Sequence, residues 1–156
     1  MATHKILVPY NFTDNDEKAI DFVIDSFGRS AQVDAEVTLF HTYVPLPDLE
    51  VSDKTVMARL ASNLTYLRQK TAELEQALKA AAERLVTAGF AEEKVSWVFT
   101  PRHREPSQEI IEQANKGNYT TIVLNHHPSK VRKFFTASIA KKVAKALMHK
   151  ELHIVG

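Results

Sequence analysis

The chain contains no cysteine, which removes disulfides, thiolate nucleophiles and every cysteine-based zinc or iron–sulfur site. Stability must come from packing, and a metal would have to be held by histidines or carboxylates. Glycine is almost as scarce, with four residues in 156, at positions 28, 89, 117 and 156. Accordingly there is no Gly-x-Gly-x-x-Gly, no Gly-Lys-Ser/Thr phosphate loop and no Gly-x-Ser-x-Gly elbow; the His-Glu-x-x-His signature is missing too. No apolar run approaches the roughly 18 residues of a membrane span, and Met1 to Lys5 lead straight into a short apolar strand rather than a secretory leader. A cytoplasmic protein is expected, and Asn-x-Thr triplets such as Asn63 to Thr65 then carry no meaning.

What is present fits one globular domain spanning 1–156: 44% apolar and 25% charged residues bury one sizeable core. The net charge is only +1, but it is unevenly spread. Seven Lys/Arg face one Glu between Ser129 and Gly156, against thirteen and eighteen in the preceding part. Lys141, Lys142 and Lys145 fall opposite Ile139, Val143 and Leu147 at helical spacing, the pattern of a solvated helix face. Only Phe134 and Phe135 interleave with the basic residues, so nucleic-acid binding finds little support.

Short β-branched runs alternate with amphipathic stretches, as in βαβ units wound on a mainly parallel sheet. The strands read as Lys5 to Val8, Glu36 to Phe40, Lys94 to Phe99, Thr121 to Leu124 and Leu152 to Val155. After Pro9, the run Thr13-Asp14-Asn15-Asp16 supplies N-cap candidates for a helix carrying Ala19, Ile20, Val23, Ile24 and Phe27 on one face, with Gly28 as its stop. Asp14, Asp16 and Glu17 sit in its first turn, where the helix dipole accounts for them. From Met57 to Leu85 apolar residues follow a three-four alternation, so helix 55–88 would reach roughly 50 Å, more than twice what a crossover needs. Two outcomes are open: a kink near Asn63 and Thr65, or an overhang that meets a partner. A further helix runs from Pro106 to a cap at Gly117, and the last from near Thr136 or Ser138 to near His149.

In such a sheet ligands bind beyond the strand carboxyl ends where the winding reverses, which singles out Pro9-Tyr10-Asn11-Phe12-Thr13 after strand one and Asn125-His126-His127-Pro128 after strand four. Adjacent strand residues point to opposite faces, so His126 and His127 do not form a metal pair, and no metal site is expected. Arg102-His103-Arg104, leaving strand three at the same edge, either adds positive charge to the cleft mouth or is merely solvated.

These residues carry a resemblance. Ile6 to Thr13, then Leu39-Phe40-His41-Thr42, then Glu105 to Ile111, then Thr121 to His127 with Ala137-Ser138-Ile139-Ala140-Lys141-Lys142-Val143, are similar from end to end to the universal stress protein family. The resemblance implies an open five-stranded parallel sheet in three α/β/α layers, the adenine nucleotide alpha hydrolase-like fold. It also implies dimerisation through Leu152, His153, Ile154 and Val155, an edge that would otherwise be an aggregation hazard. The nucleotide-binding positions it implies are Pro9, Tyr10, Asn11, Thr42, Asn125, His126, His127, Pro128, Ala137, Ser138 and Ile139. ATP-binding members carry an acidic residue after strand one and a Gly-x-x-Gly, nine residues, Gly-Ser/Thr pattern. Here Asn11 replaces the acid, Asn125 and Pro128 replace the paired glycines, and Ala137-Ser138 replaces Gly-Ser one residue early. Pro128 offers no N–H to a phosphate, although Ser138 and the free amides at the start of the last helix, with Lys130, Arg132 and Lys133, remain suited to an anion.

Two functions follow. One is a non-catalytic stress-response module acting through dimerisation and partner binding, with a degenerate nucleotide pocket and helix 55–88 as a second partner surface. The other is an adenine-nucleotide binder, for ATP or AMP, or a slow ATPase.

Overall fold

The structure, a computed structural model, describes residues 2–28, 33–45, 54–125 and 133–155. Five strands, β1 (Ala2–Pro9), β2 (Val33–Tyr43), β3 (Val95–Pro101), β4 (Thr121–Asn125) and β5 (Glu151–Val155), form one sheet in the order β3-β2-β1-β4-β5. Every pairing is parallel. Among the described residues four α-helices cross between them: α1 (Asp14–Val23), α2 (Lys54–Thr87), α3 (Pro106–Lys116) and α4 (Lys133–Ala146). The winding reverses between β1 and β4, whose register runs Ile6 to Thr121 and Leu7 to Ile122.

Strand periodicity divides the core in two. On one face Ile6, Val8, Val37, Leu39 and Val123 pack with Ile20 and Val23 of α1 and with Leu78 and Leu85 of α2. On the other, Leu7, Phe40, Ile122 and Leu124 pack with Ile110 of α3 and Val143 of α4. Side chains buried as fully as Leu78 contribute roughly 2–3 kcal/mol each, so the two apolar layers hold the sheet between its helices. Ion pairs tie neighbouring elements at the rim: Arg84 of α2 reaches Glu17 and Asp21 of α1 on the same face of the sheet, and Lys94, just ahead of β3, reaches Asp34 of β2.

Several boundaries differ from the sequence reading. Helix α2 is a single helix of 34 residues without a break. Of the two open outcomes, the kink near Asn63 and Thr65 does not occur: Thr65, like Thr71 further on, donates its hydroxyl at 2.9 Å to the carbonyl four residues earlier, of Ala61 and Leu67 respectively, and is satisfied inside the helix. Leu78 and Leu85 are fully buried while Tyr66 and Leu67 are exposed, so only the second half of α2 lies on the sheet. Helix α4 starts at Lys133, ahead of the Thr136 and Ser138 cap candidates, and ends at Ala146 rather than His149. Past α1, Ile24–Gly28 continues as one turn of π-helix. Gly117 does follow α3, but the left-handed residue is Asn118 at φ 55°. Gly117 is required for another reason: the Tyr119 ring lies where a Cβ would project.

Candidate functional site

Beyond the carboxyl ends of β1, β2 and β4 lies an open cleft of about 320 Å³, at the place where the winding reverses. The size is sufficient for one small organic ligand. Its apolar wall comes from the α3/α4 face, with Phe40, Ile110, Leu124 and Ile139 among its members. Asn11, Thr13, His41, Thr42, Arg102 and Asn125 supply its polar groups.

The polar rim is set by one turn. Phe12 adopts φ 61°, a left-handed conformation that costs a non-glycine residue roughly 1–2 kcal/mol. Its ring is held edge-on between Tyr10 at 5.0 Å and His41 at 4.8 Å, which over-determines that backbone. The turn delivers Thr13 as the N-cap of α1, in a reciprocal capping box with Asp16. Asp16 is fully buried. Its Oδ2 accepts the backbone N–H groups of Asn11 at 3.2 Å and Thr13 at 2.6 Å and the Thr13 hydroxyl at 2.9 Å. Its Oδ1 accepts the carboxamide N–H of Asn125, so the exit of β4 is bonded to the entry of α1. Burial raises the Asp16 carboxyl above the ordinary aspartate range, while the hydrogen bonds from Thr13 and Asn11 and the nearby His41 pull the other way.

His41 stands at the end of β2, its ring stacked on Phe99 at 5.7 Å. Its Nδ1 lies 2.8 Å from the Tyr10 carbonyl oxygen. A carbonyl only accepts, so Nδ1 carries the proton and a neutral ring presents Nε2 as an acceptor. Burial pushes the imidazole below its ordinary value; the Tyr10 carbonyl opposes that, Arg102 reinforces it and Asp16 opposes it. Half-buried Arg102 donates through Nε to the Thr42 hydroxyl at 3.4 Å and through Nη2 to the Thr42 carbonyl at 3.3 Å. Two of its five donors are thereby used and its fork is oriented beside the cleft. His103 and Arg104 are exposed, their backbone N–H groups both bound at 2.8 Å by Glu109, so only the first residue of the basic triplet reaches the cleft.

Of the positions named from the sequence, Pro9, Asn11, Thr42, Asn125 and Ile139 come together in the cleft lining. Tyr10 lies behind them, buried in the core with its hydroxyl 3.3 Å from Glu17. Ala137 and Ser138 fall within α4, at positions whose side chains are outside those described, and His126, His127 and Pro128 lie outside the described residues. Lys130 and Arg132 do as well. Asp16 was missed: the Thr-x-x-Asp spacing announces a cap, but nothing local announces the bond to a residue 109 positions away. Among the described residues no group of three His, Asp or Glu could hold a metal ion.

This is an open parallel α/β domain with a polar-rimmed cleft at its switch point, the place where folds of this class bind ligands. The chain belongs to the universal stress protein family, whose model matches residues 2–148. Solved structures share the fold. Hypothetical protein MJ0577 is 20% identical with a TM-score of 0.66, covering 97% of this chain and 94% of that one. A universal stress protein in complex with cAMP is 16% identical with a TM-score of 0.60, covering 98% and 96%. The universal stress protein from Archaeoglobus fulgidus in complex with dAMP is 17% identical with a TM-score of 0.59, covering 98% of each chain. No curated protein sequence matches. No helix among the described residues is long and apolar enough to cross a membrane.

Proposed function

We propose that this protein is a cytoplasmic, non-catalytic stress-response signalling module that works as a homodimer and through partner contacts. The observation that carries the non-catalytic part is the state of the cleft's reactive groups. Among the described residues its one hydroxyl–carboxylate contact, Thr13 to Asp16, is a helix cap, and the oxygen that receives the hydroxyl also receives two backbone N–H groups. That oxygen is saturated, and the other is bonded to the Asn125 carboxamide, so the carboxylate is engaged as a structural acceptor. The Nε2 of His41 has no hydroxyl partner among the described contacts. The dimer would form at β5, whose outer edge is unpaired in the sheet and where Ile154 is 53% exposed. A sedimentation mass of two chains is the expected reading.

A second reading concerns what the module senses, and the cleft favours it. Its volume, its apolar α3/α4 wall and the Arg102 guanidinium suit an adenine nucleotide with few phosphates, and structural neighbours carry cAMP and dAMP. Occupancy would be the signal. Pro9, Asn11, Thr42, Asn125 and Ile139 are the positions proposed to line the ligand. The test is whether the purified protein carries a nucleotide released by acid and visible at 260 nm, and whether it liberates phosphate from ATP. A near-stoichiometric monophosphate and no turnover support both parts. Phosphate release that is lost on Arg102→Gln would contradict the non-catalytic part.

A further inference from the structure

We infer that the exposed half of α2 is a second self-association surface, on which another copy of this chain lays the same half of its own α2 antiparallel. It is separate from the β5 edge and from the cleft. The apolar stripe of α2 outlasts the sheet: Leu78 and Leu85 are fully buried, whereas Leu60, Leu64, Thr71 and Leu74 are half-buried and Leu67 is 42% exposed. Among the described residues none of these five belongs to either apolar layer of the core. A three-four stripe is the seam of a helix pair, and over residues 58–74 it offers roughly 25 Å of contact.

The charges say what covers it. From Ala58 to Ala72 the helix carries Arg59, Arg68 and Lys70 and no acid, and Glu73 and Glu75 follow. One flank of the stripe holds Arg59, Asn63, Tyr66, Lys70 and Glu73 at the same three-four spacing, all of them exposed. In an antiparallel pair the seam interleaves, so that Leu64 stands level with Leu67 of the second copy and Leu60 with Thr71. That register, chosen from the apolar residues alone, also brings Arg59 level with Glu73, Asn63 with Lys70, and Tyr66 with its own counterpart. No like charges then face each other on this flank, and the contact is isologous, so the Arg59–Glu73 pairing occurs twice. Within one chain Lys70 already lies 3.5 Å from Glu73, so Arg59 of the second copy joins an ion network instead of forming an isolated surface pair. The two-fold axis falls between Thr65 and Tyr66, in the middle of the stretch that leaves the sheet. A parallel partner is ruled out by space, because its second half would run into the sheet on which Leu78 and Leu85 already lie; an antiparallel one is carried away from it.

The experiment is sedimentation equilibrium over a concentration series on the full chain and on Leu67→Glu, Arg59→Glu, Glu73→Arg and the double variant Arg59→Glu with Glu73→Arg, each checked for a cooperative melt. All three positions are exposed and outside the core, so the fold of the single chain should be unaffected. The unmodified chain should pass from two copies when dilute to four when concentrated. Leu67→Glu should raise the concentration needed at least about tenfold and either single charge reversal at least about threefold, while the double reversal returns it to within about twofold. In an Ile154→Lys background, where the β5 edge is blocked, the same steps should read from one copy to two. Two copies that persist in dilute Ile154→Lys and fall to one only with Leu67→Glu would remove the β5 contact and uphold this one. A series unchanged by Leu67→Glu, or reversals whose effects add instead of cancelling, overturns the antiparallel pair. Binding of the unmodified chain to phosphatidylserine vesicles, lost in Arg59→Glu, with no association beyond two copies, overturns it in favour of a lipid surface.

Discussion

Asp16 and His41 lie close enough to influence each other's charge, yet burial drives their proton equilibria apart, because it disfavours charge on both and they charge in opposite senses. The consequences for stability have opposite signs. A carboxyl raised in the folded state contributes stability that is complete below the ordinary aspartate range and is lost as pH rises through its raised value. An imidazole lowered in the folded state contributes stability that is complete above the ordinary histidine range and is lost as pH falls through its depressed value. Denaturant unfolding against pH should separate them. Asp16→Asn should gain on the unmodified chain as pH rises across the carboxylate range and then level off, whereas His41→Asn should lose less than the unmodified chain as pH falls from neutrality. Parallel curves would show that these two groups are not desolvated as described. Both residues were visible in the sequence, Asp16 as a first-turn acid and His41 at a strand end, but burial is a tertiary property and their coupling to Asn125 and Tyr10 is non-local.

At the scale of elements, the strands were legible because their apolar runs are short and bounded by proline or turn residues; the structure extends each by one to three residues at one or both ends, and Lys94, expected to open the third strand, instead ends a 3-10 turn ahead of it. Helix α2 was legible in length but not in course. A three-four stripe reads the same whether a helix lies on a sheet or runs past it, and the stripe continues unchanged from exposed Leu67 to buried Leu78. The start of α4 was misplaced because Thr136 and Ser138 look like caps although the helix already includes them. Strand β5 carries the element-level prediction. Leu152, His153 and Val155 are half-buried and Ile154 is exposed, so the strand has sides for its own sheet and an edge for another. Ile154→Lys should raise the dimer dissociation constant at least about tenfold, a change of about 1.4 kcal/mol, without altering the melt of the monomer. An unchanged sedimentation profile would place the dimer contact elsewhere, with the exposed half of α2 the next surface to test.

Over the whole molecule, one topological fact organises the rest. The order β3-β2-β1-β4-β5 puts the β1 and β4 exits side by side, so segments more than a hundred residues apart in the chain form one cleft. That crevice was legible from the alternation of strands and helices, whereas its interior polarity was not, since it depends on which first-turn acid folds back and which arginine of a basic triplet turns inward. Backbone amide shifts during titration with AMP test the site most directly. Saturable shifts confined to residues 10–13, 41–42, 102 and 124–125 are expected, with α2 and β5 unmoved. Shifts that never saturate, or that map to β5 or to the exposed half of α2, would contradict a ligand site at the switch point.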